Sequence, residues 1–445
     1  MSLPRRALPE APSRRGWCPG LARPMPTGDG LLARIHPAGG VLTLEQLRNV
    51  AEAARRFGNG HIDVTARANL QVRGVTEATR GDLAARLDAA GLGDARPDGG
   101  PQRLTLASPL AGLDPAELID VPALARDIEA AGRAIAGLPA KTLVSLHGGG
   151  RFGPGEAEAD IALRAEGRGE IALALATADG PDRIGEVSEA EAAGAVARLL
   201  AAFARTGQRR VRDLSDEARR FLSARRPPSP VRERGSVVPN GALAGQRGMP
   251  PPAGLHVLSP SLAILAAEAP FGRCDAAALD VLARIAEALG TPEIRLSSTR
   301  GFVLTAPDPA SGTRALADLA AAGFVVAPDD PRRSVAACPG APACASGSTP
   351  APADAARLAE AFRAFASRGL NAHVSGCAKG CARPAPADLT LVGADGRYGI
   401  VLNGAPGDEP AIQLTFEAAL ERVRRADSAE PLQRAFDTRP TNSDP

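Results

Sequence analysis

An internal repeat constrains this chain of 445 residues more than any other feature of its sequence. Residues 264–324 resemble residues 32–92 at an almost constant offset, and LASP at 106–109 corresponds to AACP at 336–339. Each copy reads as a β-α-β-β-α piece followed by a second α/β piece. The sequence therefore predicts an internally duplicated α+β fold.

Local signals support the repeat. Thr43 precedes an apolar stripe with Gln46 in the capping-box position, and Gly58 marks the end of that helix. The second copy predicts a matching helix at 275–289.

Four of the six cysteines form two close pairs, Cys338-x5-Cys344 and Cys377-x3-Cys381, on Gly- and Pro-rich loops. Such loops let four thiolates surround one 4Fe-4S cluster from separate directions. Structural zinc sites usually space their cysteines two to four residues apart, so zinc is the poorer alternative. A helix between the pairs, with Asp354 as its expected N-cap, would return the second loop to the first.

Composition excludes several classes of protein. A net charge of +2 is too small for a nucleic-acid-binding surface. The sequence also lacks a run of eighteen apolar residues, which a membrane-spanning helix would need. The N-terminus lacks the apolar stretch of a secretory signal, so we expect a cytoplasmic protein that binds neither nucleic acid nor membrane.

Polar residues alternate along one predicted strand, and we expect them to share a face. A solvated surface is the ordinary explanation, but two arginines with amides also suit a ligand that carries several carboxylates. The candidate substrate-binding residues are Thr65, Arg67, Asn69, Gln71 and Arg73, with Arg300 from the second copy.

Only two lysines, Lys141 and Lys379, occur among the 52 Lys and Arg residues. Lys379 lies between two of the paired cysteines, and the repeat suggests that Lys141 occupies a similar region. A lysine ammonium can transfer a proton where an arginine cannot, so both are candidate catalytic residues. The alternative is that they were retained by drift.

The cysteine spacing, the T-x-R-x-N-x-Q strand at 65–71 and the two-copy architecture resemble the sulfite/nitrite reductase superfamily. Within it, CPGLARPMPTGDGLLARI, GNGHIDVTARANLQVRG and ASPLAGLDP are similar to the precorrin-3B synthase family. That resemblance implies an oxygen-dependent monooxygenase of aerobic cobalamin synthesis. It would hydroxylate precorrin-3A at ring carbon 20 while a ring acetate closes as a γ-lactone.

The same resemblance implies the cofactors and partners. These are a 4Fe-4S cluster on the four cysteines, a mononuclear non-haem iron, precorrin-3A, dioxygen, and an NAD(P)H-linked reductase or a ferredoxin as electron donor. Candidate iron ligands are left open among Cys18, His36, His61 and His147, whereas Cys274 is expected to be a buried structural thiol.

Two other functions stay open. A sirohaem-dependent sulfite or nitrite reductase would use a K-x-K pair, but this chain has Lys141-Thr142-Leu143. The other is a non-catalytic four-cysteine metal or electron-transfer module.

The resemblance and the repeat together predict seven segments. In chain order they are a disordered head at 1–16, a ferredoxin-like half domain at 17–97, an α/β module without a cluster at 98–203, an Arg/Pro/Gly-rich linker at 204–253, a second half domain at 254–328, a 4Fe-4S module at 329–425 and a disordered tail at 426–445. In this alignment Ser108 stands in the place of Cys338 and His147 in the place of Cys377.

Overall fold

The computed structural model describes residues 18–155, 158–224 and 248–436. Its contacts divide them into two units. The first comprises 18–25 and 32–326, and the second comprises 26–31 and 327–436. In the described ranges no helix is long and apolar enough to cross a membrane.

Apart from residues 26–31, which belong to the second unit, the two half domains lie within the first unit, and each is a five-stranded sheet covered by helices. The first sheet has the strand order β1 (Met25–Thr27), β2 (Gly30–Ile35), β5 (Leu70–Val75), β4 (His61–Val64) and β13 (Arg273–Asp275). The second has the order β11 (Gly254–Ser259), β12 (Leu262–Glu268), β15 (Gly301–Ala306), β14 (Glu293–Ser297) and β3 (Val41–Thr43). Their helices are α1 (Leu44–Phe57), α2 (Arg80–Ala89), α6 (Ala276–Ala288) and α7 (Pro309–Ala321).

The two half domains exchange one short strand each. Strand β13 of the second copy pairs antiparallel with β4, and β3 of the first copy pairs antiparallel with β14. Helices α1 and α6, which directly follow the exchanged strands, pack against each other. The exchange joins the two copies through backbone hydrogen bonds as well as side-chain packing.

The capping box predicted at Thr43 is present. The backbone N–H of Gln46 donates to the Thr43 hydroxyl, and the side-chain oxygen of Gln46 accepts from the backbone N–H of Thr43, both at 3.1 Å. Helix α1 ends at Phe57, just before Gly58 as predicted.

The α/β module of the first copy also belongs to the first unit. Its sheet has the order β10 (Gly180–Ser188), β9 (Glu170–Thr177), β8 (Ile161–Gly167), β7 (Val144–His147) and β6 (Thr105–Ala107). Its helices are α3 (Val121–Arg133), α4 (Glu189–Ala204) and α5 (Asp216–Ala224).

The second unit contains the matching module. Its sheet has the order β16 (Val335–Ala337), β17 (Ala372–Ser375), β18 (Ala387–Ala394), β19 (Arg397–Gly404) and β20 (Ile412–Leu414). Its helices are α8 (Ala351–Ala366), α9 (Phe416–Arg425) and α10 (Gln433–Phe436). The element order repeats that of the first module up to α9, which agrees with the predicted duplicated α+β class.

Three local predictions need correction. The predicted linker begins too early, because Val211, Leu214 and Leu222 are buried in the core of the first α/β module. The predicted disordered tail is helical at α10, with Phe436 buried. Helix α8 begins at Ala351, so Asp354 lies inside the first turn, where its carboxylate accepts a 2.6 Å hydrogen bond from the buried Tyr398 hydroxyl. Residues 1–16 and 225–247 lie outside the described part of the chain.

Candidate functional site

Two of the four paired cysteines follow neighbouring parallel strands. Cys338 comes directly after β16 and Cys377 lies two residues after β17, and both are buried. Because β16 and β17 are parallel, their carboxyl ends meet at one edge of the sheet. The Gly376 N–H donates to Cys338 Sγ at 3.1 Å, which links the two loops.

A tight backbone turn holds Cys344. The Cys344 N–H donates to the Gly340 carbonyl at 2.6 Å, and the Gly347 N–H donates to the Cys344 carbonyl at 3.0 Å. Cys381 is exposed at the end of the second loop. The backbone therefore fixes Cys344 more firmly than Cys381.

The four thiols share one electrostatic environment. Although Cys381 as a whole residue is exposed, desolvation of its thiol raises its pKa, and the Cys377, Cys338 and Cys344 thiols raise it further, while Lys379 opposes them. Burial likewise raises the pKa of Cys377, which the Lys379 backbone N–H and ammonium lower. Four thiolates can coexist there only with a positively charged group among them.

Four thiols on two loops are a donor set that suits a 4Fe-4S cluster. Within the ranges that the structure describes, no group of three or more His, Cys, Asp or Glu residues converges closely enough to hold one metal ion. A zinc ion would draw its sulfurs to about 2.3 Å from a single point, whereas a cluster spreads them over its corners. The buried Ser348 hydroxyl has no protein partner and is a candidate donor to a cluster sulfur.

In the first unit, the sheet of the first half domain carries a polar face. Arg34 on β2 donates to the Gln71 side-chain oxygen on β5 at 2.8 and 2.6 Å when that amide is oriented with its oxygen toward the guanidinium. The Cys18 thiol also hydrogen-bonds Arg34, and burial lowers the pKa of Arg34. This guanidinium is therefore desolvated beside a neutral amide and a thiol.

Residues predicted to lie on one strand are divided by a turn. Thr65 and Asn69 close the tip between β4 and β5, with the Asn69 N–H donating to the Thr65 hydroxyl at 3.1 Å, and Ala68 has a φ of 50°. Arg67 lies in this turn and donates to the Lys141 carbonyl at 3.1 Å. Burial lowers the pKa of Arg67, as do the nearby Arg210 and Arg34. Asn69 is buried, and its side-chain oxygen has no hydrogen-bond partner among the residues that the structure describes.

Arg73 is committed to the fold instead of to a ligand. It is buried and pairs with Asp63 on β4 at 3.0 Å, and Arg273 from the exchanged β13 binds the same carboxylate at 2.6 Å. The expectation that Arg73 binds substrate is therefore corrected, because its guanidinium pairs with Asp63. Arg300 lies in the turn between β14 and β15 with a φ of 64°; burial lowers its pKa, and Asp63 partly opposes that effect.

The Lys141 loop is anchored by a carboxylate. Asp160 is fully buried and accepts from the Leu143 N–H at 3.0 Å and from Arg210 Nε at 3.0 Å. Lys141 itself is exposed. Lys141 lies in the first unit and Lys379 lies in the second.

Sequence reasoning missed several members of this arginine-rich region. Arg34 lies in GLLARI, which otherwise reads as an apolar strand, and a charge within such a strand was the available signal. Arg103 is held by the backbone carbonyls of Pro37, Ala68 and Arg67. Burial, Arg34 and Arg103 together lower the pKa of His36 to about 3, so its imidazole is neutral at physiological pH.

The first-copy module shows what replaces the cysteines. Ser108 and Asp114 stand where Cys338 and Cys344 stand in the second copy, and the Asp114 N–H donates to Leu110 as Cys344 does to Gly340. The alignment of His147 with Cys377 was wrong, because the strand registers match Leu146 to Val374 and therefore His147 to Ser375. The residue in the position of Cys377 is Gly149.

Two candidate iron ligands remain, His147 and His61. Among the described residues, neither belongs to a group of side chains that could hold a metal ion. His147 is buried and accepts from the Gly149 N–H at 3.0 Å. His61 is exposed on β4. Burial strongly raises the pKa of the Cys274 thiol, as expected for a structural cysteine.

Comparison with known proteins agrees with this architecture. Residues 23–90 match the family described as the nitrite/sulfite reductase ferredoxin-like half domain. In three dimensions the chain resembles the Mycobacterium tuberculosis NirA protein, with a TM-score of 0.65 and 20% identity over 91% of this chain and 83% of that one. This likeness supports the fold.

Two curated relatives align with most of the sequence. The chain is 27% identical to a ferredoxin–nitrite reductase from Synechococcus elongatus over 429 residues, which is 86% of this chain and 79% of the relative. It is 36% identical to a precorrin-3B synthase from a Sinorhizobium species over 414 residues, which is 90% of this chain and 85% of the relative. By this extent of identity, the chain belongs to the precorrin-3B synthase family.

Proposed function

We propose that this protein catalyses the precorrin-3B synthase reaction, the monooxygenation of precorrin-3A at ring carbon 20 with closure of a ring acetate as a γ-lactone. One atom of dioxygen enters the substrate as the hydroxyl, and the other leaves as water with two electrons from a donor. The donor is a ferredoxin or an NAD(P)H-linked reductase, and the compartment is the cytoplasm. When bound, the iron–sulfur cluster, with a mononuclear iron, supplies electron transfer and oxygen activation.

The observation that carries the proposal is a difference between the two copies. In the second copy, Ala266 on β12 pairs with Val303 on β15, and both are buried in an apolar cluster with Leu110. At the matching positions the first copy has Arg34 and Gln71. The fold therefore does not require polar residues at these two positions. We infer that Arg34 and Gln71 are present because they bind a ligand.

That ligand is anionic. Precorrin-3A carries eight carboxylates inherited from its uroporphyrinogen precursor, and a guanidinium binds a carboxylate through two parallel hydrogen bonds. We assign Arg34 and Arg67 to substrate carboxylates because burial already desolvates both guanidiniums. We also propose that Arg300 and Thr65 contact the substrate at its edges, and that the buried Asn69 oxygen accepts a hydrogen bond from the ring.

Lys379 is proposed as a proton donor. Its backbone N–H binds Cys377, which fixes the base of the side chain, while the exposed ammonium is free to exchange protons with water. Lys141 has a fixed backbone and an exposed side chain as well, and we propose a weaker contribution from it. Cys338, Cys344, Cys377 and Cys381 would hold the cluster.

A sirohaem-dependent nitrite or sulfite reductase is the second candidate, because the Synechococcus elongatus nitrite reductase aligns with a similar share of the chain. The missing second lysine of the K-x-K pair argues against it. Incubating the reconstituted protein with precorrin-3A, a reductant and ¹⁸O₂ separates the two candidates. We expect one labelled oxygen per product molecule, and nitrite or sulfite turnover without labelled product would contradict the proposal.

A further inference from the structure

The tip of the β1–β2 hairpin lies directly on the backbone of the Cys344 loop. Within the second unit, the Gly28 N–H donates to the Ala343 carbonyl at 3.2 Å. A Cβ atom placed on Gly28 would lie 2.4 Å from the Pro342 carbonyl oxygen and 2.6 Å from the Ala345 nitrogen. These are backbone atoms that cannot rotate away, so only glycine permits this approach.

The tip itself is a closed structure. The Thr27 hydroxyl lies 2.8 Å from an Asp29 carboxylate oxygen and 2.9 Å from the Gly30 carbonyl oxygen. Gly28 is therefore presented to the Cys344 loop on a turn whose shape is fixed by local hydrogen bonds.

The second copy offers an internal comparison. Its β11–β12 hairpin also packs on the module loop that corresponds to the cysteine loop, because Leu258 and Leu262 contact a cluster that contains Leu110. That loop has Ser108 and Asp114 in place of cysteines, and the residue at the position of Gly28 is Pro260. The glycine is thus present where the loop carries a cysteine and absent where it does not.

We propose that Gly28 is a positioning residue for Cys344, and that the hairpin tip holds the 342–345 backbone in the conformation that receives the cluster. The inference rests on the proposed cluster at the four cysteines. The position of Cys344 is then set by two backbone contacts, its own turn onto Gly340 and the contact of Gly28 with Ala343.

The test compares Gly28→Ala with Gly407→Ala, a matched control in the same unit where a new Cβ has nothing within 4 Å. Hydrogen exchange of the metal-free proteins reports the loop before any cluster is present. We expect the amides of Cys344 and Gly347 to exchange about tenfold faster in Gly28→Ala than in the control, with the rest of the second unit unchanged.

Anaerobic reconstitution with iron and sulfide supplies the second readout. We expect Gly28→Ala to bind fewer than four irons per chain, and the clusters that form to show an altered electron paramagnetic resonance spectrum and midpoint potential. A merely structural role would lower the iron content without changing the spectrum. Thr27→Val removes only the side-chain hydrogen bonds at the hairpin tip, so exchange rates, iron content and spectrum should change less than in Gly28→Ala. This variant still tests the proposal if Gly28→Ala fails to fold.

The outcomes separate this inference from the proposed function. Wild-type exchange rates, iron content and spectrum in both variants would overturn the inference while leaving the cluster in place. A wild-type protein that takes up no iron–sulfur cluster would overturn the proposed function together with the inference.

Discussion

The double substitution Arg34→Ala/Gln71→Val tests the proposed binding face with the protein's own residues. It gives the first copy the alanine and valine that the second copy has at Ala266 and Val303, so the fold is known to accept this pair on the matching strands. The Gln71 oxygen is removed together with its donor, so that acceptor is not left unpaired, and the cost is limited to the hydrogen bond between Arg34 and the Cys18 thiol.

The expected effects on binding and stability differ in size. Loss of one charge-assisted contact to a substrate carboxylate costs about 1.5–3 kcal/mol, or roughly a ten- to hundredfold increase in Kd. The free energy of unfolding should change by only about 1 kcal/mol, because removal of a desolvated guanidinium offsets the lost hydrogen bonds. Arg73→Met should lower stability by about 2 kcal/mol and leave ligand binding unchanged, because it removes one charge-assisted hydrogen bond to Asp63 while Arg273 still pairs with that carboxylate.

Fluorescence titration with uroporphyrin, a metal-free tetrapyrrole with eight carboxylates, measures the binding of each variant, and urea unfolding measures its stability. The reasoning is refuted if the double variant binds uroporphyrin as tightly as the wild type. It is also refuted if Arg73→Met weakens binding more than the double variant does.

Three further predictions address the cysteines, a buried acid and the lysine. Replacing Cys381 by Ser should leave fewer than four irons per chain and abolish turnover, and full activity with a depleted cluster would refute its role. Burial raises the pKa of Glu117 from 4.5 to about 7, so the folded state keeps a proton that the unfolded chain loses, and stability should fall as pH rises from 5 to 8. Glu117→Gln should remove about 1–2 kcal/mol of that pH dependence in urea unfolding, after allowing for partial exposure, and an unchanged pH profile would disprove the shift. Lys379→Arg keeps the charge but transfers protons poorly, so turnover should fall while the tetrapyrrole Kd holds; equal turnover in steady-state assays would leave only an electrostatic role.

Local patterns predicted the helices well because their signals lie within a few residues. The Thr43 capping box and the glycine after α1 needed no knowledge of distant strands. The exchanged strands β3 and β13 could not be anticipated in this way. Each has three residues, and each pairs with a partner more than two hundred residues away in the sequence.

The candidate site shows the same limit. Alternation predicted which side chains share a face, but it could not show that Asp63 on the next strand neutralises Arg73. Arg34 escaped notice because its partner Gln71 lies on a strand that follows after an intervening helix. His147 was misaligned because the two modules differ by two residues between their first and second parallel strands, a shift that only the register reveals.

Under the proposed function one copy holds a cluster and the other does not, and the loops of the two modules differ in a way that accounts for this. In the first copy, Glu117 occupies the position of Gly347, and its carboxylate accepts from the Gly112 N–H at 2.7 Å. At Gly347 a Cβ would lie 2.9 Å from the Ala341 nitrogen, so the second copy cannot accommodate a side chain there. The first loop is thus filled by its own side chains, whereas the second is kept open by glycine. It follows that restoring cysteines at all four matching positions, Ser108, Asp114, Gly149 and Gly153, would not by itself create a second cluster site, because the Glu117 side chain would still occupy the loop.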